Sequence, residues 1–467
     1  MSCIQYSPNL NSDLIDQISN SLDVRTTEKN QFGEVFTPLE TICDMYEHLP
    51  DNTWSDKSYK WLDVSAGTGN FMIVAYYKLM DGLKSQIRAK STRSKYIIEK
   101  MLYMVEYNCE NVEIIKQNFK IIDKNAVPNV YNEDYLLWQP ACKFNVVVGN
   151  PPYNKDGIQK GGGVYWKYFV FRAYEMLENK GYSIMIHPIG WRKPSGNSPS
   201  SGDIWKLYRN NGSLISLYMS TKKIPNFPIV DYYIFKKGSL EENTIVSSKF
   251  NHFESTINDY LNNMAFIPSF LSTDSISIFS KILNTKSKKG KFNFIYDQKI
   301  KPSLFSNTRR GIKHYHYYKP TTSSYEIKYV QKSVMNKMFK KQIPNYYSRD
   351  KIILQYKSSI RKGCVFPVVV KGESNIGTTN NTMYHIISFE EGKKLIPFFK
   401  SNLFSFIMML TSYSESPNHI NEFKIINQIY IPDLPPNSSE NDVNAYYKLT
   451  NKELELIDTL TDDKCKV

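Results

Sequence analysis

No stretch of the sequence approaches the roughly 20 consecutive apolar residues that span a bilayer, and its first residues lack the basic-then-apolar pattern of a secretory signal. No membrane partner is expected, and the location is read as intracellular. Cysteine is sparse: Cys3, Cys43, Cys109, Cys142, Cys364 and Cys465 are scattered with no C-x-x-C pair. That spacing argues against a zinc site or a disulfide framework, so reduced thiols are expected. Histidine is almost as rare, and its one close pair, His314 and His316, has no Cys or carboxylate cluster beside it. The pair reads as part of a surface strand, and no metal site is expected. There is no internal repeat at a solenoid period.

Acidic residues are also in deficit, 45 Asp and Glu against 59 Lys and Arg, for a formal net charge of +14 over 467 residues. Such a balance suits a polyanionic partner better than an acidic protein substrate. The 34 tyrosines and 25 phenylalanines mixed with lysine suit nucleic acid, where rings stack on bases and ammonium groups meet phosphates. A bias toward Lys, Asn, Ile and Tyr is the competing account of the same composition. With 41% hydrophobic and 22% charged residues, the chain has the material for a large core, which excludes disorder as its overall state.

Residues 1–30 read as a polar N-terminal arm. From 31 to 244, apolar runs at Trp61–Val64, Leu102–Val105, Phe144–Val148 and Tyr182–Ile186 alternate with helical segments. The intervals fit crossover helices, which predicts a doubly wound parallel α/β sheet with Ile229–Phe235 as a late strand. Residues 245–435 form a second, mixed α+β domain, and 436–467 a helical tail. Between Lys281 and Ser324 the only acid is Asp297, whereas Lys286, Lys288, Lys289, Lys291, Arg309 and Arg310 supply positive charge among aromatic residues. These six are candidates for phosphate contact, a solvated loop being the plainer reading.

Two segments carry chemistry. Asp63-Val64-Ser65-Ala66-Gly67-Thr68-Gly69-Asn70-Phe71 follows the first strand, and its glycines let a cofactor approach the backbone. Met72 stands where a dinucleotide fingerprint would have its third glycine, which disfavours a pyrophosphate cofactor. Glu106 ends the next strand, placed to accept hydrogen bonds from a ribose diol. The second segment, Gly149-Asn150-Pro151-Pro152-Tyr153, follows the run at Phe144. Its two prolines lack amide hydrogens and fix φ, so it stiffly presents the Asn150 side chain and the Pro151 carbonyl as paired acceptors for an amino group. The Tyr153 ring offers a flat surface to a planar amide or a base.

At these residues the sequence resembles the Class I S-adenosylmethionine-dependent methyltransferases, specifically the N6-adenine DNA methyltransferases with the catalytic N-P-P-Y segment after the cofactor motifs and target recognition last. Gly33 to Pro38 resembles the family's leading cofactor motif, with Phe36, Thr37 and Pro38 closing over the methionine moiety. Thr37 to Glu40 also reads as a capping box opening a helix from Leu39 to His48. By the resemblance, Asp63, Ser65, Ala66, Gly67, Gly69, Asn70 and Phe71 hold the cofactor, with Asn150 beside it; Glu106 binds its ribose and Asp134 its adenine amino group. Phe227, in Ile224-Pro225-Asn226-Phe227-Pro228, corresponds to a second aromatic residue that holds an extruded adenine with Tyr153. His187 stands where Thr is more usual and is assigned no catalytic role. Gly377 to Tyr384 and Asn421 to Pro432 resemble recognition-domain segments.

The resemblance implies a Rossmann-like catalytic domain and a DNA target recognition domain. It also implies S-adenosylmethionine as cofactor, double-stranded DNA as substrate, and a stand-alone methylase, either an orphan or one with a separate cognate restriction endonuclease as partner. The short stretch before Gly33 is read as too small for a fused nuclease domain. RNA adenine and protein-glutamine methyltransferases share N-P-P-Y and remain as alternatives, as does an inactive nucleic-acid-binding subunit.

Overall fold

The computed structural model describes residues 37–461 apart from 155–163, 196–199, 220–228, 239–242, 251–252, 260–263, 297–298, 319–323, 341, 356, 359–365, 414–418 and 421–422. The arm at 1–30, Phe36 and Phe227 lie outside the described residues. The chain divides into two compact units. One takes in the described residues up to 249 with 256–267, and the other takes in 250–255 and those from 268 onward.

In the first unit β1 (Trp61–Asp63) lies between β2 (Leu102–Val105) and β4 (Phe144–Gly149), parallel to both, with Asp63 level with Met104 and Val148. Strands β3 (Asn129–Tyr131) and β5 (Leu177–Pro188) extend the parallel array on either side. The crossovers contain α2 (Asn70–Gly82) after β1, α3 (Cys109–Ile122) after β2 and α4 (Trp166–Met176) after β4. Because helices cover both faces, the inner strands are apolar runs rather than alternating ones. Trp61, Met72, Ile115, Phe119, Val146 and Val148 form the middle of the core. All carboxyl ends of β1, β2 and β4 therefore reach one edge, where ligands of open α/β sheets bind.

The sheet is not parallel throughout. Its order is β3-β2-β1-β4-β5, continuing with β7 (Val230–Lys237), β6 (Gly212–Met219), β8 (Thr244–Phe250) and β9 (Phe253–Asp259). The expected late strand is β7 (Val230–Lys237), and it runs antiparallel to both β5 and β6 (Gly212–Met219). A buried run reads alike in either direction, so its pattern carried no sign of this. Before β1, α1 (Leu39–Tyr46) ends two residues short of His48. The expected capping box does not form. Extended Pro38 occupies the N-cap with no side-chain cap bond, which leaves Thr37 one residue outside. Buried Cys43 on α1 is disulfide-bonded, correcting the expectation of reduced thiols; its partner lies outside the described residues, and Cys109 and Cys142 are free.

The second unit contains a four-stranded sheet, β10 (Ile295–Tyr296), β16 (Thr382–Ile386), β13 (Lys351–Gln355) and β14 (Val368–Val370), antiparallel at each pairing. Beside it in sequence is the hairpin of β11 (Ile312–Tyr318) and β12 (Ser324–Val330), to which β15 (Gly377–Thr378) adds in parallel. Helices include α5 (Thr273–Asn284), capped reciprocally by Ser272 and Ser275, and α6 (Phe389–Lys400). His314 and His316 do lie on a strand but face inward, correcting the surface reading. His314 Nε2 meets Tyr347 Oη at 2.7 Å and His316 Nδ1 meets Thr379 Oγ1 at 3.0 Å. Burial brings His314 down to about 4, so it is neutral at physiological pH.

Candidate active site

The turn after β1 is held on the sheet edge by its own backbone: Val64 N donates to Val148 O at 3.0 Å and Ala66 N to Val105 O at 3.1 Å. Gly67 and Gly69 then take φ of +54° and +89°, which let the chain reverse into α2, with Gly69 as its left-handed N-cap. Glu106, at the end of β2 and nearly buried, ties this turn to the next one. Its Oε2 accepts from Gly67 N at 2.7 Å and its Oε1 from Asn108 N at 2.8 Å.

Asp63 is wholly buried beneath the turn and accepts from Ser65 N through Oδ1 at 3.1 Å. Loss of water pushes its carboxyl up to about 8, with the charge of Glu106 adding to the rise. Asp63 Oδ2 and Ser65 Oγ are buried with no hydrogen-bond partner. Two unmet polar atoms beneath a glycine turn fit a site built for a polar ligand.

Asp134 is half-buried and starts a turn in which Oδ1 accepts from Leu136 N at 2.9 Å. From α4, Arg172 clamps that turn, donating through Nε to Tyr135 O at 2.9 Å and through Nη2 to Trp138 O. Asn132 Nδ2 donates to the carbonyls of Glu106 and Tyr107, both at 3.0 Å. Sequence reasoning passed over Arg172 and Asn132, because nothing in their local pattern distinguishes them from solvated polar residues.

At the end of β4, a Cβ on Gly149 would lie 2.6 Å from Val64 Cγ2 and 3.4 Å from Ser65 Oγ. Glycine is what lets the Asn150 segment rest against the first turn. Asn150 Nδ2 donates to Thr37 Oγ1 at 3.3 Å, and Asn70 Nδ2 donates to Thr37 O at 3.2 Å. Pro151 is buried, and Pro152 and Tyr153 are half-buried. Tyr153 O accepts from Tyr165 N at 3.0 Å, and burial raises the Tyr153 phenol, so it stays protonated. The fold thus brings Thr37, Pro38, Asp63 to Phe71, Glu106 and Asn150 to Tyr153 to one sheet edge.

His187 belongs to the core. It stacks on Trp166 at 4.1 Å between centroids, and its Nε2 meets Tyr233 Oη at 2.8 Å. Burial brings it down to about 3, leaving a neutral ring. In the second unit Lys286, Lys288, Lys291, Arg309 and Arg310 are exposed, with Lys291 Nζ 5.1 Å from the Tyr430 ring centroid. Lys289 departs from the expectation of a charge open to phosphate. It pairs with Glu391 at 2.6 Å and Asp433 at 2.8 Å, acids distant in sequence that the charge run did not reveal. Among the described residues no cluster of His, Cys, Asp or Glu could hold a metal ion, and no helix is long and apolar enough to cross a membrane.

No curated relative matches the chain in sequence. Solved structures with similarity to it include the Type IIL restriction-modification enzyme MmeI in complex with DNA, at 10% identity over 95% of this chain and 78% of that one, with a TM-score of 0.47. The type IIG restriction endonuclease BpuSI gives 12% identity, 93% and 66% coverage and a TM-score of 0.43. A type I restriction-modification system methyltransferase subunit from Streptococcus thermophilus gives 16%, 48% and 50%, with a TM-score of 0.33. The chain spans about half the length of the type I subunits it matches. Residues 79–215 match the family model of the Eco57I restriction-modification methylase. That match runs from within α2 to within β6.

Proposed function

We propose that the chain transfers a methyl group from S-adenosylmethionine to the N6 amino group of an adenine extruded from double-stranded DNA. The observation that carries this reading is the close approach at Gly149, which seats Asn150 and Pro151 beside the glycine turn of β1. The segment proposed to hold the amino group and the turn proposed to hold the cofactor thus lie at one sheet edge. The unmet atoms of Asp63 and Ser65 support a polar ligand there. Bound S-adenosylmethionine supplies an electrophilic methyl group on its sulfonium. Glu106 accepts the ribose hydroxyls, Asp134 the adenine amino group, and Phe36, Thr37 and Pro38 border the methionine moiety.

An adenine inside a duplex is out of reach, so it is extruded and held between Tyr153 and Phe227. Ring stacking, worth ~1–3 kcal/mol per base, offsets much of the few kcal/mol that unstacking costs. The N6 lone pair is delocalised into the purine and attacks poorly. Hydrogen bonds from both N6 protons to Asn150 Oδ1 and the Pro151 carbonyl localise that lone pair in line with the methyl group. Asn150 cannot take a full proton, so the proton leaves to solvent after transfer. The exposed Lys286, Lys288, Lys291, Arg309 and Arg310 serve DNA phosphates.

Nucleoside mass spectrometry of mixed-sequence duplex DNA after incubation with protein and S-adenosylmethionine tests this, with Asn150→Ala as control. N6-methyladenine made by the parent protein alone is the expected result. Cofactor binding without DNA modification would move the RNA and protein-amide substrates ahead, and absent cofactor binding the inactive subunit.

A further inference from the structure

The hairpin of β11 and β12 sorts its side chains by face. Residues directly opposite each other in an antiparallel pair share a face. Ile312 with Val330, His314 with Lys328 and His316 with Glu326 therefore lie on one side, and Lys313 with Tyr329 and Tyr315 with Ile327 on the other. The first side is the inner one: Val330 and His314 are fully buried and His316 nearly so, the two imidazoles bonded to Tyr347 and Thr379. The second side carries exposed Lys313, half-buried Tyr315 and Tyr329, and Ile327, which is 43% exposed. Strand β12 is also the outer strand of its sheet, and an outer strand with apolar side chains in the open invites pairing with another molecule.

Shape and charge say what kind of molecule that is. Strand β15 pairs only with His314 and Tyr315, so beyond them the hairpin continues as a two-stranded ribbon. Its root is basic. Ser306 N donates to Tyr329 O at 2.7 Å and Ile312 pairs with Val330, which fastens the loop bearing exposed Arg309 and Arg310 to the root at both ends. The one acid in the two strands, Glu326, belongs to the inner side and is ion-paired with Lys328 at 2.5 Å. The major groove of B-DNA is about 12 Å wide and admits a two-stranded ribbon, with phosphates along its rims and base edges and thymine methyl groups on its floor. Cations at the root and apolar side chains beyond them match rim and floor. We infer that the ribbon of β11 and β12 enters the major groove of DNA, with Arg309, Arg310 and Lys313 on phosphates and Ile327 against a thymine methyl group. This rests on the reading of duplex DNA as substrate, and it adds the element that meets the bases.

The test uses a duplex that the full-length protein enriches from a randomised pool, remade with uracil for each thymine in turn and with 5-iodouracil for all of them. The iodine stands in the major groove where the thymine methyl group does. Irradiation of the bound 5-iodouracil duplex is expected to join DNA to a peptide of β11 or β12, identified by mass spectrometry. Because this is read in the parent protein, it does not depend on the folding of a variant. Loss of one thymine methyl group is expected to weaken binding by the parent about fourfold, the worth of one methyl group taken out of water, and to leave binding by Ile327→Ala unchanged. Crosslinks confined to other segments, no thymine preference in the parent, or a preference kept by Ile327→Ala would each overturn the inference, while methylation of the duplex would still stand. If the parent neither binds nor methylates duplex DNA, the substrate reading fails and the ribbon's role with it.

Discussion

The side chain of Asn150 donates from Nδ2 to Thr37 Oγ1 at 3.3 Å, joining the end of β4 to a residue 113 positions earlier. The two segments thereby meet, although the sequence between them builds most of the parallel sheet. Asn150→Asp keeps the side chain's size but removes the donor and adds charge. Turnover on DNA is expected to fall by about 10²-fold with cofactor affinity within a few-fold, as steady-state kinetics beside calorimetry will show.

Gly149→Ala would press a methyl group into Val64, whose Cγ2 lies 2.6 Å from the new carbon. Overpacking of this kind costs about 1–3 kcal/mol. Urea unfolding is expected to show a lowered midpoint at unchanged slope, and DNA methylation is expected to be lost with it, since Asn150 is displaced from the glycine turn.

Asp63 gives the protein a pH-dependent stability of defined sign. Its carboxyl titrates near 3.8 in the unfolded chain and is pushed up to about 8 in the fold. Between those values the native state holds a proton that the unfolded state has lost. The contribution of Asp63 to stability therefore falls as pH rises through this window, by up to about 1.4 kcal/mol per pH unit. Asp63→Asn, which carries no titrating proton, is expected to flatten this part of the stability profile in urea melts between pH 5 and pH 8. An unchanged slope would remove Asp63 as its source.

Arg172→Ala would leave the carbonyls of Tyr135 and Trp138 without their guanidinium donor. The turn that starts at Asp134 then loosens. An order-of-magnitude loss, roughly tenfold, in S-adenosylmethionine affinity is expected by calorimetry, with a smaller effect on the turnover rate at saturation.

Phosphate binding separates the basic residues. Replacing both Arg309 and Arg310 by alanine is expected to reduce the slope of log affinity against log salt by up to about 2, near 0.9 for each phosphate no longer neutralised. Lys289→Ala is expected to leave that slope unchanged, because its charge is already met by Glu391 and Asp433. Equal slopes for all variants would place the DNA-binding surface elsewhere.

Much of the site could be read in advance because it depends on contiguous residues. The glycines at 67 and 69 permit positive φ, Glu106 ends an apolar run, and the prolines after Asn150 stiffen it, all of them local constraints. What escaped notice joins segments far apart. Thr37 looked like a capping residue because Glu40 follows at the right spacing, yet Pro38 took the N-cap and the hydroxyl went to Asn150. Arg172 and Asn132 act on backbone carbonyls of other segments, and no local pattern marks a side chain for that task. Lys289 sat in a basic run, and its two acidic partners come from distant positions.

By itself the sequence determined that the runs at Trp61, Leu102, Phe144 and Tyr182 become strands, that Gly67 and Gly69 turn the chain after the first, and that Glu106 and Asn150 follow two of them, since periodicity, glycine and proline act over a few residues. Tertiary structure alone decided the antiparallel course of β7, the inward turn of His314 and His316, and the pairing of Asn150 with Thr37. Strand direction, the choice of buried face and the meeting of distant polar groups are settled by packing. That packing rewards burial and hydrogen-bond satisfaction over the whole unit, and no single stretch of sequence records the result.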